Sequence, residues 1–191
     1  MNRKMILAPL IVFLMLLTVS PVLACPTHWQ KVSAWNTTTG FGSPPAVAPK
    51  YSWTTPSGIT IDIGSQTNIV GQLGIGSNTY ALYSHSVSNL VFNSKTGVAD
   101  RYSDAIWYVT PLATGPLEGA PDGFSGNVQI VYNGVTTINS LGVPNPPYSS
   151  YSVQVMMQGF GKFAGDTLML SFSGPAVLPP PPWTGYCLIP K

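Results

Sequence analysis

The sequence predicts an all-β chain, folded as a single antiparallel β-barrel of about eight to ten strands with an extended N-terminal arm; a β-sandwich is the alternative. Three observations carry this. Residues Tyr151 to Gly174 read YSVQVMMQGFGKFAGDTLMLSFSG, two alternating runs around a glycine-rich turn, the pattern of a β-hairpin. Turn formers are dense, with 19 Gly and 19 Pro in 191 residues, and they cut the chain at intervals that suit short strands. No window combines helical spacing of apolar residues with helix caps.

The chain opens with Arg3 and Lys4, an apolar run from Met5 to Thr18, and Val22-Leu23-Ala24. A positive start, an apolar middle and small residues at the exit read as a secretory signal peptide spanning 1–24. The alternative is an uncleaved anchor, since Met5 to Leu23 approaches the ~20 residues that span a bilayer. Either way the protein is expected to be secreted or held at the cell surface. Beyond residue 24 six basic residues balance six acidic ones, and no basic run occurs. Nucleic-acid binding needs clustered Lys and Arg, so that class is excluded. At 7% charged but 45% hydrophobic, the composition also argues against disorder.

Cys25 and Cys187 are the two cysteines, one near each end of the exported chain. An oxidising compartment favours a disulfide between them. Alternatively, Val22-Leu23-Ala24-Cys25 is similar to a bacterial lipobox, which makes Cys25 a lipidation site and a membrane tether. Residues 25–57 read as an extended lead-in, because Pro26, Pro44, Pro45, Pro49 and Pro56 forbid helix and interrupt ladders. Its aromatics, Trp29, Trp35, Phe41, Tyr51 and Trp53, are costly to leave wet, so the segment is expected to wrap across the domain. Asn36-Thr37-Thr38 is a candidate N-glycosylation sequon.

The barrel domain with its proline-rich tail is expected over 58–191. Gly58 to Gly64 alternates three isoleucines with polar residues, and Asn68 to Gly76 follows as a second strand bent by glycines. Asn78 to Phe92 reads as two short strands or a bulged one. Asp104 to Thr110 (DAIWYVT) is a short apolar strand, and Pro111 to Gly123 a loop. Gly126 to Tyr132 alternates again and stops at Asn133-Gly134, a turn dipeptide, with Thr136 to Leu141 as the expected hairpin partner. After the Tyr151–Gly174 hairpin, prolines 179–182 favour polyproline II before a last strand around Cys187.

Within the hairpin, Gly159-Phe160-Gly161-Lys162-Phe163-Ala164-Gly165 resembles the glycine-rich strand connection of allene oxide cyclase-like and dirigent-like (calycin-type) barrels. The resemblance covers this connection and its flanking strands. It implies an antiparallel barrel of a kind that often encloses a cavity for small apolar molecules, and it places no catalytic residue. Gly159, Gly161, Phe163 and Gly165 are then turn residues rather than a nucleotide loop, and Asp166 is expected to hydrogen-bond the turn backbone.

Candidates for chemistry are few. No Cys-x-x-Cys or His pair at i,i+4 marks a metal site, and no cofactor motif occurs. His85, between serines, lacks a nucleophile-elbow context. Asp100-Arg101-Tyr102-Ser103-Asp104 is the densest charge cluster. It suits an acid/base pair or a calcium site built on Asp100, Arg101 and Asp104, but reads better as a polar turn before the AIWYV strand. Two functions follow. One is an exported non-enzymatic protein, either a surface or matrix component that self-associates through strand edges or a binder of small apolar molecules. The alternative is a barrel enzyme of cyclase or isomerase type acting on a small hydrophobic substrate.

Overall fold

The computed structural model describes residues 27–36, 46–176 and 181–190. Nine strands form one antiparallel sheet: β1 (Thr27–Asn36), β2 (Tyr51–Thr54), β3 (Ile59–Ile75), β4 (Asn78–Asn93), β5 (Val98–Pro111), β6 (Gly123–Asn133), β7 (Ser150–Phe160), β8 (Thr167–Pro175) and β9 (Trp183–Pro190). From β3 to β9 each strand pairs with the next in sequence. The ring closes because β1 pairs with β9 along one edge and with β3 along the other, Ala34 facing both Trp183 and Leu73. Closure satisfies backbone groups that an open sheet leaves bare. Eight strands make the ring, and the short β2 is appended further along the β3 edge that β1 uses.

The sequence pattern explains most of these elements. On β7, Tyr151, Val153, Val155 and Met157 are buried, and on β8 Leu168 and Leu170 join them. Phe172 is half-buried against Tyr151, with ring centroids 4.8 Å apart. These are the faces that alternation assigns. One end of the barrel is filled by aromatics. Phe124 lies 4.9 Å from Phe163 between ring centroids, and Tyr80 meets Phe163 edge-on at 5.7 Å. Phe163 reaches this end from a single 3-10 turn (Gly161–Phe163) that links β7 to β8. Outside it, Lys162 sits over the Tyr80 ring and pairs with Asp122 at 3.4 Å.

Four expectations are corrected. The lead-in at 25–57 contains β1, a full ring strand whose Val32 and Ala34 face the core. The stretch Thr27–Asn36 carries no proline, so its ladders are uninterrupted. Gly58 to Gly76 is one long strand, not two: the break is a bulge between Ile63 and Ser65, where Gly64 adopts φ 76. Asn78 to Asn93 runs unbroken as β4, without a bulge of its own. Thr136 to Leu141 is not the partner of β6. Residues 134–149 form a loop held by an isolated bridge between Ile138 and Pro144, and β7 takes the place beside β6. The signal segment 1–24, Cys25 and Thr37-Thr38 of the sequon lie outside the described residues; Asn36 is the last residue of β1. No helix among the described residues is long and apolar enough to cross a membrane.

Candidate functional site

Above the aromatic end the barrel is not filled. A cavity of about 320 Å3 lies inside it, near the lower limit of the ~300–1,000 Å3 usual for small-molecule pockets. Its two sides differ in character. β6 and β7 present Val128, Ile130, Tyr132 and Tyr151, with Trp107 and Trp183 adding aromatic surface. β3, β4 and β5 present hydroxyls instead: Thr67, Ser84, Ser86 and Ser103. At one end the lining passes to loop residues Ala46, Val143, Tyr148 and Pro181.

The hydroxyl wall follows from strand geometry. Ser84, Ser86 and Ser88 alternate on β4, so all three face inward, while Val87 and Val91 are turned out and stand 41% and 47% exposed. The usual inside-outside order is thus inverted over this segment. On β5 the inward positions are Arg101, Ser103, Ala105, Trp107 and Val109, all buried. Cross-strand register brings Ser88 opposite Ser103 and Ser86 opposite Thr67. The hydroxyls of Ser88 and Ser103 are 2.8 Å apart, as are those of Thr67 and Ser86.

Arg101 sits in this wall. Only 6% exposed, it donates from Nη2 to Thr67 Oγ1 and Ser88 Oγ, both at 2.9 Å. Its Nε is buried and has no partner among the described residues. No carboxylate pairs with it, the single ion pair among these residues being Lys162 with Asp122. Asp62, also buried, faces Leu90 across β4 and packs beneath Gly142 of the 134–149 loop. Tyr132 has its phenol within hydrogen-bonding and charge reach of the guanidinium. Burial pushes its phenol up to about 12 and outweighs the opposing pull of Arg101, so it stays neutral at physiological pH.

The expected polar turn at 100–104 is therefore corrected: these residues are the middle of β5, and strand alternation separates them. Asp100 and Asp104 point outward, accepting hydrogen bonds from Gln129 Nε2 at 3.0 Å and Asn127 Nδ2 at 2.8 Å. The pleat turns both carboxylates away from Arg101, and four residues of extended strand, roughly 13 Å, keep the two from sharing an acid/base or calcium site. No group of three or more potential metal ligands occurs among the described residues. His85 shares the outer face of β4, where its Nδ1 is 2.7 Å from Asn68 Oδ1, away from the inward serines on either side. Gly159 is the penultimate residue of β7, while Gly161, Phe163 and Gly165 lie in the connection to β8. That connection is tied by main-chain bonds, Gly159 N–H to Asp166 O at 2.8 Å and Asp166 N–H to Phe163 O at 2.9 Å, not by the Asp166 carboxylate.

Cys187 is fully buried on β9 opposite Leu168. As a thiol it is pushed up to about 12 by burial, the Asp166 charge adding to the shift, which makes it unreactive at neutral pH. The disulfide and lipidation readings both turn on Cys25, outside the described residues. Asp166 itself is raised by burial against the opposing pull of His28. A carboxylate raised on folding stabilises least above its folded pKa, and stability returns as pH falls through that value. Asp166→Asn is accordingly expected to raise the melting temperature at pH 7, by a margin that vanishes near pH 3, where both side chains are neutral; melting curves at the two pH values test this.

No family model, curated protein or solved structure matches this chain.

Proposed function

We propose that this protein is an exported, non-enzymatic binder of a small apolar molecule held inside the barrel. One observation carries the reading: the interior is packed at one end and left as a cavity of about 320 Å3 further along, walled on one side by aliphatic and aromatic groups. Protein interiors ordinarily close to crystal-like density, and an eight-stranded ring can fill itself with side chains. A cavity maintained there is the default place for a ligand. The N-terminal Arg3-Lys4 and apolar run support export.

The test uses N-phenylnaphthylamine, an uncharged fluorophore whose emission rises in apolar surroundings. Saturable binding with quenching of Trp107 and Trp183 is expected. Ala105→Phe, which points a ring into the cavity from β5, is expected to weaken binding at least tenfold while far-UV circular dichroism stays unchanged. Absence of saturable binding to the folded wild-type chain overturns the reading. Recovery of a chemically altered small molecule after incubation favours the cyclase-type alternative instead.

A further inference from the structure

We infer that the ligand carries a carboxylate on its apolar body, and that Arg101 and Ser103 receive that carboxylate at the hydroxyl wall. The inference rests on the cavity being a binding site and adds the ligand's charge and orientation. Arg101 lines the cavity, is only 6% exposed, and has no partner for Nε among the described residues. A guanidinium is a permanent cation, and burying one without a counter-ion is unfavourable unless something supplies the charge. Among the described residues no carboxylate lies within ion-pair distance of it. Asp62 makes no ion pair with it, and the phenol of Tyr132 is held neutral.

Hydroxyls surround this guanidinium on the same wall. Ser88 accepts from Arg101 and stands 2.8 Å from Ser103 Oγ, a pair in which either hydroxyl can donate. Ser103 Oγ makes no other side-chain hydrogen bond among the described residues and lines the cavity. Thr67 likewise accepts from Arg101 and passes its proton to Ser86, whose proton goes to the Thr67 carbonyl at 3.2 Å. Arg101 Nε has no partner among the described residues, and the hydroxyls of Ser84 and Ser103 line the cavity on the same wall. One cation without a counter-ion suits a single negative charge, and its planar fork suits two coplanar oxygens, which together describe a carboxylate; a phosphate brings up to about two charges. The apolar remainder lies against Val128 and Ile130, which pair with Ser103 and Arg101 on the neighbouring β6, and against Trp107 further along β5.

The experiment is competition against N-phenylnaphthylamine by decanoate and by decanol, which share a chain and differ in the head group. On the wild-type chain decanoate is expected to compete at least tenfold better than decanol. In Arg101→Met that preference is expected to fall to unity or below, and in Arg101→Lys to survive in part, since charge is kept and the fork is lost. Ser103→Ala is expected to reduce it severalfold. Decanol competing as well as decanoate on the wild-type chain overturns the inference while leaving the apolar-binding reading intact. A preference that persists in Arg101→Met overturns it too. If the fluorophore itself does not bind, both readings fail. Hexyl phosphate outcompeting decanoate replaces the carboxylate by a phosphate and overturns the stated ligand class.

Discussion

Gly159→Ala is expected to destabilise the fold by more than about 4 kcal/mol, the range reserved for backbone clashes and broken cores, and to prevent accumulation of folded protein. A Cβ at this position overlaps the Phe163 carbonyl oxygen and lies 2.7 Å from the Phe163 carbonyl carbon and 2.9 Å from its Cβ. The obstacle is the Phe163 main-chain carbonyl, so no rotamer change relieves it. Relief requires opening the β7–β8 connection, which breaks the Gly159 N–H bond to Asp166 O and withdraws Phe163 from Phe124 and Tyr80. Gly161→Ala meets Pro121 O and Asp122 in addition to a φ of 64, and is expected to be nearly as damaging. Gly165→Ala is the informative contrast. Its φ of 94 is strained for alanine, but the new Cβ comes only within 3.5 Å of Pro190 Cγ. Its cost is expected at about 1–2 kcal/mol, the penalty of a left-handed residue. Urea denaturation of the three variants checks the ranking, and a Gly159→Ala midpoint at or above that of Gly165→Ala contradicts it.

That ranking shows what the hairpin pattern can and cannot convey. Alternation in Tyr151–Met157 and Leu168–Phe172 is enough to pair the strands and choose their buried faces, because period two is a property of the local chain. Which of the glycines at 159, 161 and 165 is indispensable depends on how closely Phe163 folds back, a tertiary distance with no local signature. β1 illustrates the same limit from the other side. Prolines around it suggest an arm, yet the ring needs one more strand between β9 and β3, and Thr27–Asn36 is the proline-free stretch able to supply it. The interior polar wall was hidden for another reason. A cluster such as Asp100-Arg101-Tyr102-Ser103-Asp104 satisfies composition rules for turns, and those rules outweigh alternation when charges are adjacent. Continuing the period backward from Val109 through Trp107 and Ala105 reaches Ser103 and Arg101 on the same face. Ser84, Ser86 and Ser88 repeat that spacing on the facing strand. The signal was a polar stripe at period two on neighbouring strands, and it becomes legible only once their register is known.

Arg101→Met is expected to make the ligand-free protein more stable, by about 1–4 kcal/mol, the gain seen when buried charges give way to apolar groups of similar size. For a chain of this length that corresponds to a rise of roughly 2–4 °C in melting temperature per kcal/mol. Two terms decide the sign. Removing the guanidinium ends the desolvation penalty of a lone cation whose Nε is unsatisfied. Against this stand two hydrogen bonds from Nη2, each worth about 1.5–3 kcal/mol to a charged donor before that penalty is counted. Their acceptors are not orphaned by the change, since Thr67 stays with Ser86 and Ser88 with Ser103. A flexible thioether also fills irregular space beside Val128 and Ile130. A rise in melting temperature identifies Arg101 as a residue that weakens the empty barrel, the mark of a group kept for what it binds. A fall of several degrees instead assigns it to the cross-linking of β3, β4 and β5. In that outcome the wild-type preference for decanoate over decanol stands as the only measure of its role toward a ligand.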